Sequence, residues 1–334
     1  MFKHKLIKII IWIILFFLLI FILLWAFSFK RYDVDFGISF SKEYTESLGL
    51  DWRETYDAIF KDLKPHYIRL SVPWSMVEEV RDEYNFDDID YQMNIAKQND
   101  TKVVLTLGQK IPRWPECYIP DWTYSMSSQS KDQKLLDYIK TTVERYQNYP
   151  NLEYWQVENE PFIPFKFGEC TFFNEKIVSE EVSLVRSLDP DRKVIVTDSG
   201  ELSSWHKASL TGDILGTTLY RTVQNPLGFT IRYVLLPPAF YTFRARLWNN
   251  SYENFFVSEL QAEPWFTNSN PTNTPVMIQE KTGSLKQMKK NIEYSHYVGA
   301  SRVYLWGVEW WYWMKTTQND SSYWDQIKIT LRSQ

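Results

Sequence analysis

Glu153-Tyr154-Trp155-Gln156-Val157-Glu158-Asn159-Glu160-Pro161 reads as a short apolar and aromatic strand that stops in Asn-Glu-Pro. Proline cannot donate a ladder hydrogen bond, so the strand ends here and Glu160 stands at its exit. A carboxyl group at a strand mouth, beside an amide and among aromatic side chains, is placed for proton transfer. Glu158 competes for that role, because on a strand of period two it shares a side with Glu160. The Asn-Glu-Pro register favours Glu160.

On both sides of this stretch, short β-rich runs alternate with helical ones. Before it come strands at 34–39, 66–71 and 102–107, and helical spacing at 52–63, 89–97 and 135–146. A long loop after the third strand holds Pro112, Trp114, Pro115, Pro120 and Trp122. After it come a helix at 175–188 and strands at 193–197, 213–219 and 255–258, the last ending at Glu259. A helix at 285–298 and an eighth strand at 302–306 complete the series. Eight strands alternating with helices predict the α/β class and a (β/α)8 TIM barrel, whose sites collect at the C-terminal strand ends. A doubly wound open sheet is the alternative fold. The first strand has no Gly-rich phosphate loop behind it, which counts against a nucleotide-binding version.

The N-terminus has a different character. Met1-Phe-Lys-His-Lys5 is basic, and residues 9–27 form an unbroken apolar run. That run is long enough to cross the roughly 30 Å of bilayer hydrocarbon as a helix. It exceeds a usual signal-peptide apolar region, and no small-residue cleavage pattern follows it. The expectation is an uncleaved, single-pass signal anchor over residues 1–31, preceding one catalytic domain over 32–334; a cleaved signal peptide is the alternative. Lys3, Lys5 and Lys8 precede the span and Lys30 and Arg31 follow it, which favours a cytoplasmic tip and an extracytoplasmic domain.

Without residues 1–31 the chain carries 32 basic against 41 acidic residues, a net of about −9. That argues against nucleic acid as a partner. The 15 Trp, 21 Tyr and 21 Phe mostly serve packing, but such a surplus also suits stacking on sugar rings. Cys117 and Cys170 both fall in loops on one face, either as a disulfide or as two free thiols. With no His nearby in sequence, they do not point to a metal site.

The partner sought for Glu160 is Glu259, 99 residues on, in Phe255-Phe-Val-Ser-Glu-Leu-Gln-Ala-Glu-Pro-Trp265. That interval is about three barrel units of roughly 31 residues, which sets the two at the ends of strands four and seven. Two carboxyl groups about 5–5.5 Å apart are the arrangement for retaining glycoside hydrolysis. Arg69, ending strand two, is placed to hold its carboxylate partner ionised. Glu263 and Glu280 compete with Glu259. Glu263 lies four residues past the expected strand end and reads as a rim residue, and 276–279 can be mistaken for a strand leading to Glu280.

The pattern resembles the large clan of (β/α)8 retaining glycoside hydrolases that includes the cellulase, β-galactosidase and β-xylosidase families. By that resemblance Glu160, after Asn159, is the acid/base and Glu259 the nucleophile. Arg69 in Tyr67-Ile-Arg-Leu-Ser-Val-Pro-Trp74 matches the strand-two Arg, and Tyr220 the Tyr that contacts the nucleophile. Trp306 in Tyr304-Leu-Trp-Gly307 matches the Trp that floors the sugar subsite, and Asn159 should bond the substrate 2-hydroxyl. The match spans nearly all of residues 33–315. It implies an oligo- or polysaccharide or glycoconjugate substrate and no cofactor. The chain departs from the clan in placing Gln109 and Lys110, and no His, at the strand-three exit. Trp114 and Trp310 are further candidate contacts for the substrate, although Trp310, Trp311 and Trp313 equally suit packing. Glu309 is either a supporting carboxylate or a sugar acceptor. The insertion at 227–247 is expected as a helix with an extended lead-in, with a lid or a membrane-hugging patch as alternatives. A carbohydrate-binding barrel without catalysis, and a transglycosylase, are the alternative functions.

Overall fold

The structure is a computed structural model and describes residues 2–165, 168–170, 173–225, 228–266 and 270–332. Leu227, where the insertion was expected to begin, lies outside the described residues. Six strands precede the insertion: β1 (Asp35–Ser39), β2 (Tyr67–Ser71), β3 (Lys102–Leu107), β4 (Leu152–Val157), β5 (Val194–Asp198) and β6 (Ile214–Leu219). The segment from β6 to the next barrel strand forms an antiparallel hairpin, β7 (Thr222–Gln224) with β8 (Thr230–Arg232), and then a helix, Ala239–Leu247. β9 (Phe255–Gln261) and β10 (Arg302–Trp306) follow.

The parallel strands close in the order β1-β10-β9-β6-β5-β4-β3-β2. β1 pairs with β10 on one side (Asp35↔Arg302) and β2 on the other (Ile38↔Ile68), so the sheet has no edge and the doubly wound alternative is excluded. Alternation along the strands divides the core. Val103, Leu105 and Leu107 join the large outer cluster under the helices. Val104, Ile195, Ile214, Phe256 and Tyr304 form a separate inner cluster. Arg302 lies over the Tyr67 ring, 3.6 Å from its centroid, and pairs with Glu153. Above this apolar layer the inward positions turn polar, and the site lies there.

Helix ends follow local chemistry. The helix expected from 135 starts at Ser128, because the Ser127 side chain accepts from Ser130 N and caps it. Residues 276–283, strand-like in sequence, form a helix (Val276–Gly283), and the Glu280 carboxylate accepts from Tyr323 OH at 3.0 Å. β9 runs through Glu259 rather than stopping before it. Thr217 pairs with Val257 but Thr218 with Glu259, so Ser258 is an extra residue, and the β10 side shifts as well. Such a bulge re-aims the next side chain.

The N-terminal helix spans Phe2–Phe27. Its Lys5–Phe27 portion, 23 residues, is long and apolar enough to cross a membrane, and none of its apolar stretch is buried against the barrel.

Candidate active site

β2 delivers Arg69 to the barrel interior, where it is 2 % exposed. A buried guanidinium needs acceptors for its fork of donors. Its Nε donates to Gln156 Oε1 (2.8 Å), its Nη2 to Asn159 Oδ1 (2.9 Å) and its Nη1 to Glu259 Oε1 (3.0 Å). One side chain thus joins β2, β4 and β9. The second Glu259 oxygen accepts from the half-buried Tyr220 OH at 2.9 Å. Donors to both oxygens are what a carboxylate anion requires.

The chain past β4 separates the two candidate carboxyls. Glu158 has φ +59° and Glu160 φ +45°, unusual for residues with a Cβ. The Glu158 carboxylate accepts from the backbone of Gln109 (2.8 Å) and Lys110 (2.6 Å), so it secures the β3 exit. Gly108, at φ +131°, makes room for it: a Cβ there would lie 2.6 Å from the Glu158 carboxyl carbon. The Glu160 carboxyl instead accepts from a side-chain hydroxyl, Thr218 Oγ1, at 3.0 Å. Burial pushes its pKa up to about 8, against the pull of Lys110 and helped by Glu259 and Glu116. Glu160 is therefore an acid that keeps its proton at neutral pH, while Glu259 has the donors of an anion. Such a division of two carboxyls is what acid–base and nucleophilic roles need.

The loop after β3 covers the mouth. It folds back as a small hairpin through the Lys110↔Cys117 bridge and the Tyr118 N to Gln109 O bond of 2.8 Å. Cys117 is disulfide-bonded to Cys170, which ties this hairpin to the segment after β4. Gly168 packs against it so closely that a Cβ would lie 2.5 Å from Glu116 Cβ. The hairpin carries Arg113 and Glu116 into the site. Arg113 Cζ lies 3.9 Å from the ring centroids of both Tyr44 and Trp306, a cation between two aromatic faces. Its guanidinium pairs with Glu263 and, at 2.7 Å, with Glu309. Glu116 receives Asn159 Nδ2 at 3.4 Å and lies 3.6 Å from Lys110 Nζ; burial pushes it up to about 7.

A model of glycosyl hydrolase family 10 matches residues 36–227, more than half of the chain. The chain belongs to glycosyl hydrolase family 10. It is accordingly a glycosidase of the retaining, two-carboxylate type, and a carbohydrate is its substrate class. The matched region contains Glu160, and Glu259 lies beyond it. The fold is similar to that of several solved structures. Xylanase 10B from Thermotoga petrophila RKU-1, in complex with xylobiose, is 14% identical at a TM-score of 0.56, covering 82% of each chain. A glycosylated endo-β-1,4-xylanase of family 10 from Gloeophyllum trabeum is 14% identical at a TM-score of 0.53, covering 85% of this chain and 86% of that one. GH5_18 from Bifidobacterium longum subsp. longum is 11% identical at a TM-score of 0.57, covering 83% and 70%.

Among the expected site residues, the structure brings Arg69, Asn159, Glu259 and Tyr220 into one bonded network beside Glu160. Trp306 also lines the mouth, but Arg113 covers one of its faces. Asn159 has its amide occupied by Arg69 and Glu116. Trp310 is a correction: it is fully buried, donates to Gln279 Oε1 at 2.7 Å and packs edge-on against Tyr323. Trp311 and Trp313 are buried as well. Trp114 is 62 % exposed on the covering hairpin. Glu263 is no rim residue, being buried against Arg113. Gln156, Thr218 and Glu116 were missed. The period-two alternation from Tyr154 through Gln156 to Glu158 was the available signal for Gln156.

Proposed function

We propose that this family 10 enzyme is anchored by its N-terminal helix and cleaves a β-glycosidic bond outside the cytoplasm, with residues 32–334 as the catalytic domain. Glu259 attacks the anomeric carbon as the bond to the leaving oxygen breaks, and Glu160 gives that oxygen its proton. A water then gives a proton back to Glu160 and attacks the same carbon, releasing Glu259. Arg69 and Tyr220 orient Glu259, and Asn159 donates to the reacting sugar when substrate displaces its 3.4 Å bond to Glu116. Trp306 and the exposed Trp114 offer aromatic faces to the substrate. The observation that carries the reading is the contrast between a buried Glu160 carboxyl that accepts from the Thr218 hydroxyl and a Glu259 carboxylate that accepts from both Arg69 and Tyr220. The Cys117–Cys170 disulfide suits an oxidising compartment.

The two xylanases among the structural neighbours make aryl β-xylosides the first substrates to test, with aryl β-galactosides beside them. Activated 2-fluoro analogues of the same sugars should leave a covalent adduct on Glu259, read by peptide mass spectrometry. An adduct on another residue, or turnover unchanged in Glu259→Gln, refutes the assignment.

A second reading, a sugar-binding barrel without catalysis, is favoured by one feature. The cavity between Arg69, Arg113 and Trp306 holds about 10 Å³, the space of about one water. A larger cleft of about 230 Å³ opens alongside, lined by Lys42, Arg53, Asn85 and Asp88, and shares Phe40, Ser41 and Ser71 with the small cavity. In the catalytic reading, sugar enters from that cleft as the β3 hairpin yields. Saturable sugar binding with no turnover of any activated glycoside would favour the second reading.

A further inference from the structure

The end of the N-terminal helix does not leave the barrel at random. Ser28 Oγ accepts from the backbone of Ala239, the first residue of the helix Ala239–Leu247, at 3.0 Å, and itself donates to Leu24 O at 2.7 Å. The last turn of the apolar helix is therefore joined to the β6–β9 insertion. Around this joint, large apolar side chains point to solvent. Phe29, Val234, Leu235, Phe243 and Leu247 are all more than half exposed, between 58 % and 80 %. Scattered exposed apolar residues are ordinary, but a cluster at one place marks a contact surface. Phe243 and Leu247 stand at i and i+4 and share one face of their helix.

The lead-in to this helix is held rigidly. Leu236 O accepts from Tyr294 OH at 2.7 Å, Arg221 lies 4.0 Å over the Tyr294 ring, and Tyr233 N donates to Arg221 O at 3.1 Å. Leu235 is thus presented outward by a fixed backbone. A 23-residue span rises roughly 35 Å, enough to exhaust the bilayer hydrocarbon at about Phe27. Phe243 lies four residues, roughly 6 Å, along its helix from the Ser28 joint. Leu235 and Phe243 therefore stay close enough to the end of the span to reach the headgroup layer, where apolar side chains insert beside polar ones.

We propose that residues 234–247 form a second membrane contact, seating Leu235 and Phe243 in the interface of the bilayer that the N-terminal helix crosses; this rests on the anchor reading above. The contact fixes the tilt of the barrel. It also ties the membrane to the site wall, since Thr222, held at both its backbone N and O by Gln261 (2.9 and 2.6 Å), is two residues from Tyr220.

The test uses the full chain in vesicles of phosphatidylcholine and phosphatidylglycerol. Leu235→Cys and Phe243→Cys are each labelled with an environment-sensitive maleimide, the native cysteines being paired with each other. Ile13→Cys reports on the span, and Lys140→Cys, on an exposed helix across the barrel, is the reference. Lipids carrying a shallow nitroxide should quench labels 235 and 243 and leave 140 bright, and a nitroxide deep in the acyl chains should quench 13. Quenching at 13 without quenching at 235 and 243 beyond the level at 140 overturns the proposal and leaves the anchor standing. No quenching at 13 overturns the anchor reading and the contact with it.

Discussion

Arg113 lies over the Trp306 ring, 3.9 Å from its centroid, while its guanidinium bridges Glu263 and Glu309. All four residues are buried, so the guanidinium compensates two carboxylates that have left water. Replacing it by Ala leaves those charges without their partner, a loss of about 3–5 kcal/mol in unfolding free energy. Arg113→Ala should therefore lower the denaturant midpoint strongly. Lysine has one point charge and no planar fork, so Arg113→Lys should recover only part of it. If Arg113→Ala unfolds like the parent, the bridge is not what holds the β3 hairpin down.

The proton on Glu160 predicts a pH profile. As an acid pushed up to about 8 by burial, it is protonated below that pH and lost above it. kcat/KM should decline on an alkaline limb near pH 8. In Glu160→Gln the limb should vanish, with turnover of substrates that have poor leaving groups falling by about 10² to 10⁴. Activated aryl glycosides, which need less proton donation, should suffer less in their first step. An alkaline limb that survives in Glu160→Gln belongs to another group.

Stability should also depend on pH, with a sign opposite to that of ordinary salt-bridged acids. Burial pushes Glu160 to about 8 and Glu116 and Glu158 to about 7, whereas a Glu in the unfolded chain titrates near 4.3. Between about pH 4.5 and 8 the folded state keeps protons that the unfolded state has released, so stability falls as pH rises. Asp62, held low by its bond to Lys315, acts the other way but only at acid pH. Tm should therefore be higher near pH 5.5 than near pH 8, and Glu160→Gln should flatten the slope. A Tm that rises across that window contradicts the burial of these acids.

Tyr220→Phe isolates one bond at the proposed nucleophile. It removes the 2.9 Å hydroxyl bond to Glu259 and keeps the ring, which packs edge-on against Trp265. Loss of a hydrogen bond to a charged group costs about 1.5–3 kcal/mol, a fall of about 10- to 150-fold if the bond is kept in the transition state. The fall should appear in kcat with activated substrates, whose KM should change little. Unaltered kcat means that the hydroxyl serves packing alone.

Strand-end residues were legible in the sequence because the barrel converts order along the chain into position around a ring. Arg69 and Glu259 lie in strands with a clear apolar pattern and Glu160 and Tyr220 follow such strands, so that pattern brings them to one mouth, while the Ser258 bulge that re-aims Glu259 has no such signal. Arg113 and Glu116 were not legible in the same way. They lie in a loop whose path depends on the Cys117–Cys170 bond and on Gly168, and no local periodicity encodes either. Trp310 failed for the converse reason. An aromatic run after the last strand has the composition of a sugar platform, yet helical spacing over Val308–Thr317 turns it inward to Gln279 and Tyr323.

The disulfide decides whether that loop keeps its shape. Joining residues 53 apart removes loop entropy from the unfolded chain worth about 4 kcal/mol. The bond also holds the hairpin from which Arg113 reaches Trp306 and Glu116 reaches Asn159. Substituting Cys117 and Cys170 together by Ser should lower Tm and loosen the hairpin. Arg113, still attracted by Glu263 and Glu309, should stay in place more than Glu116, whose contact to Asn159 is a longer 3.4 Å bond. Hydrogen exchange should therefore rise first at the backbone of Glu116 and Tyr118, which the hairpin bonds to Arg113 O (2.7 Å) and Gln109 O (2.8 Å). Exchange that is unchanged there, with Tm lowered, would place the whole effect of the disulfide in the unfolded state.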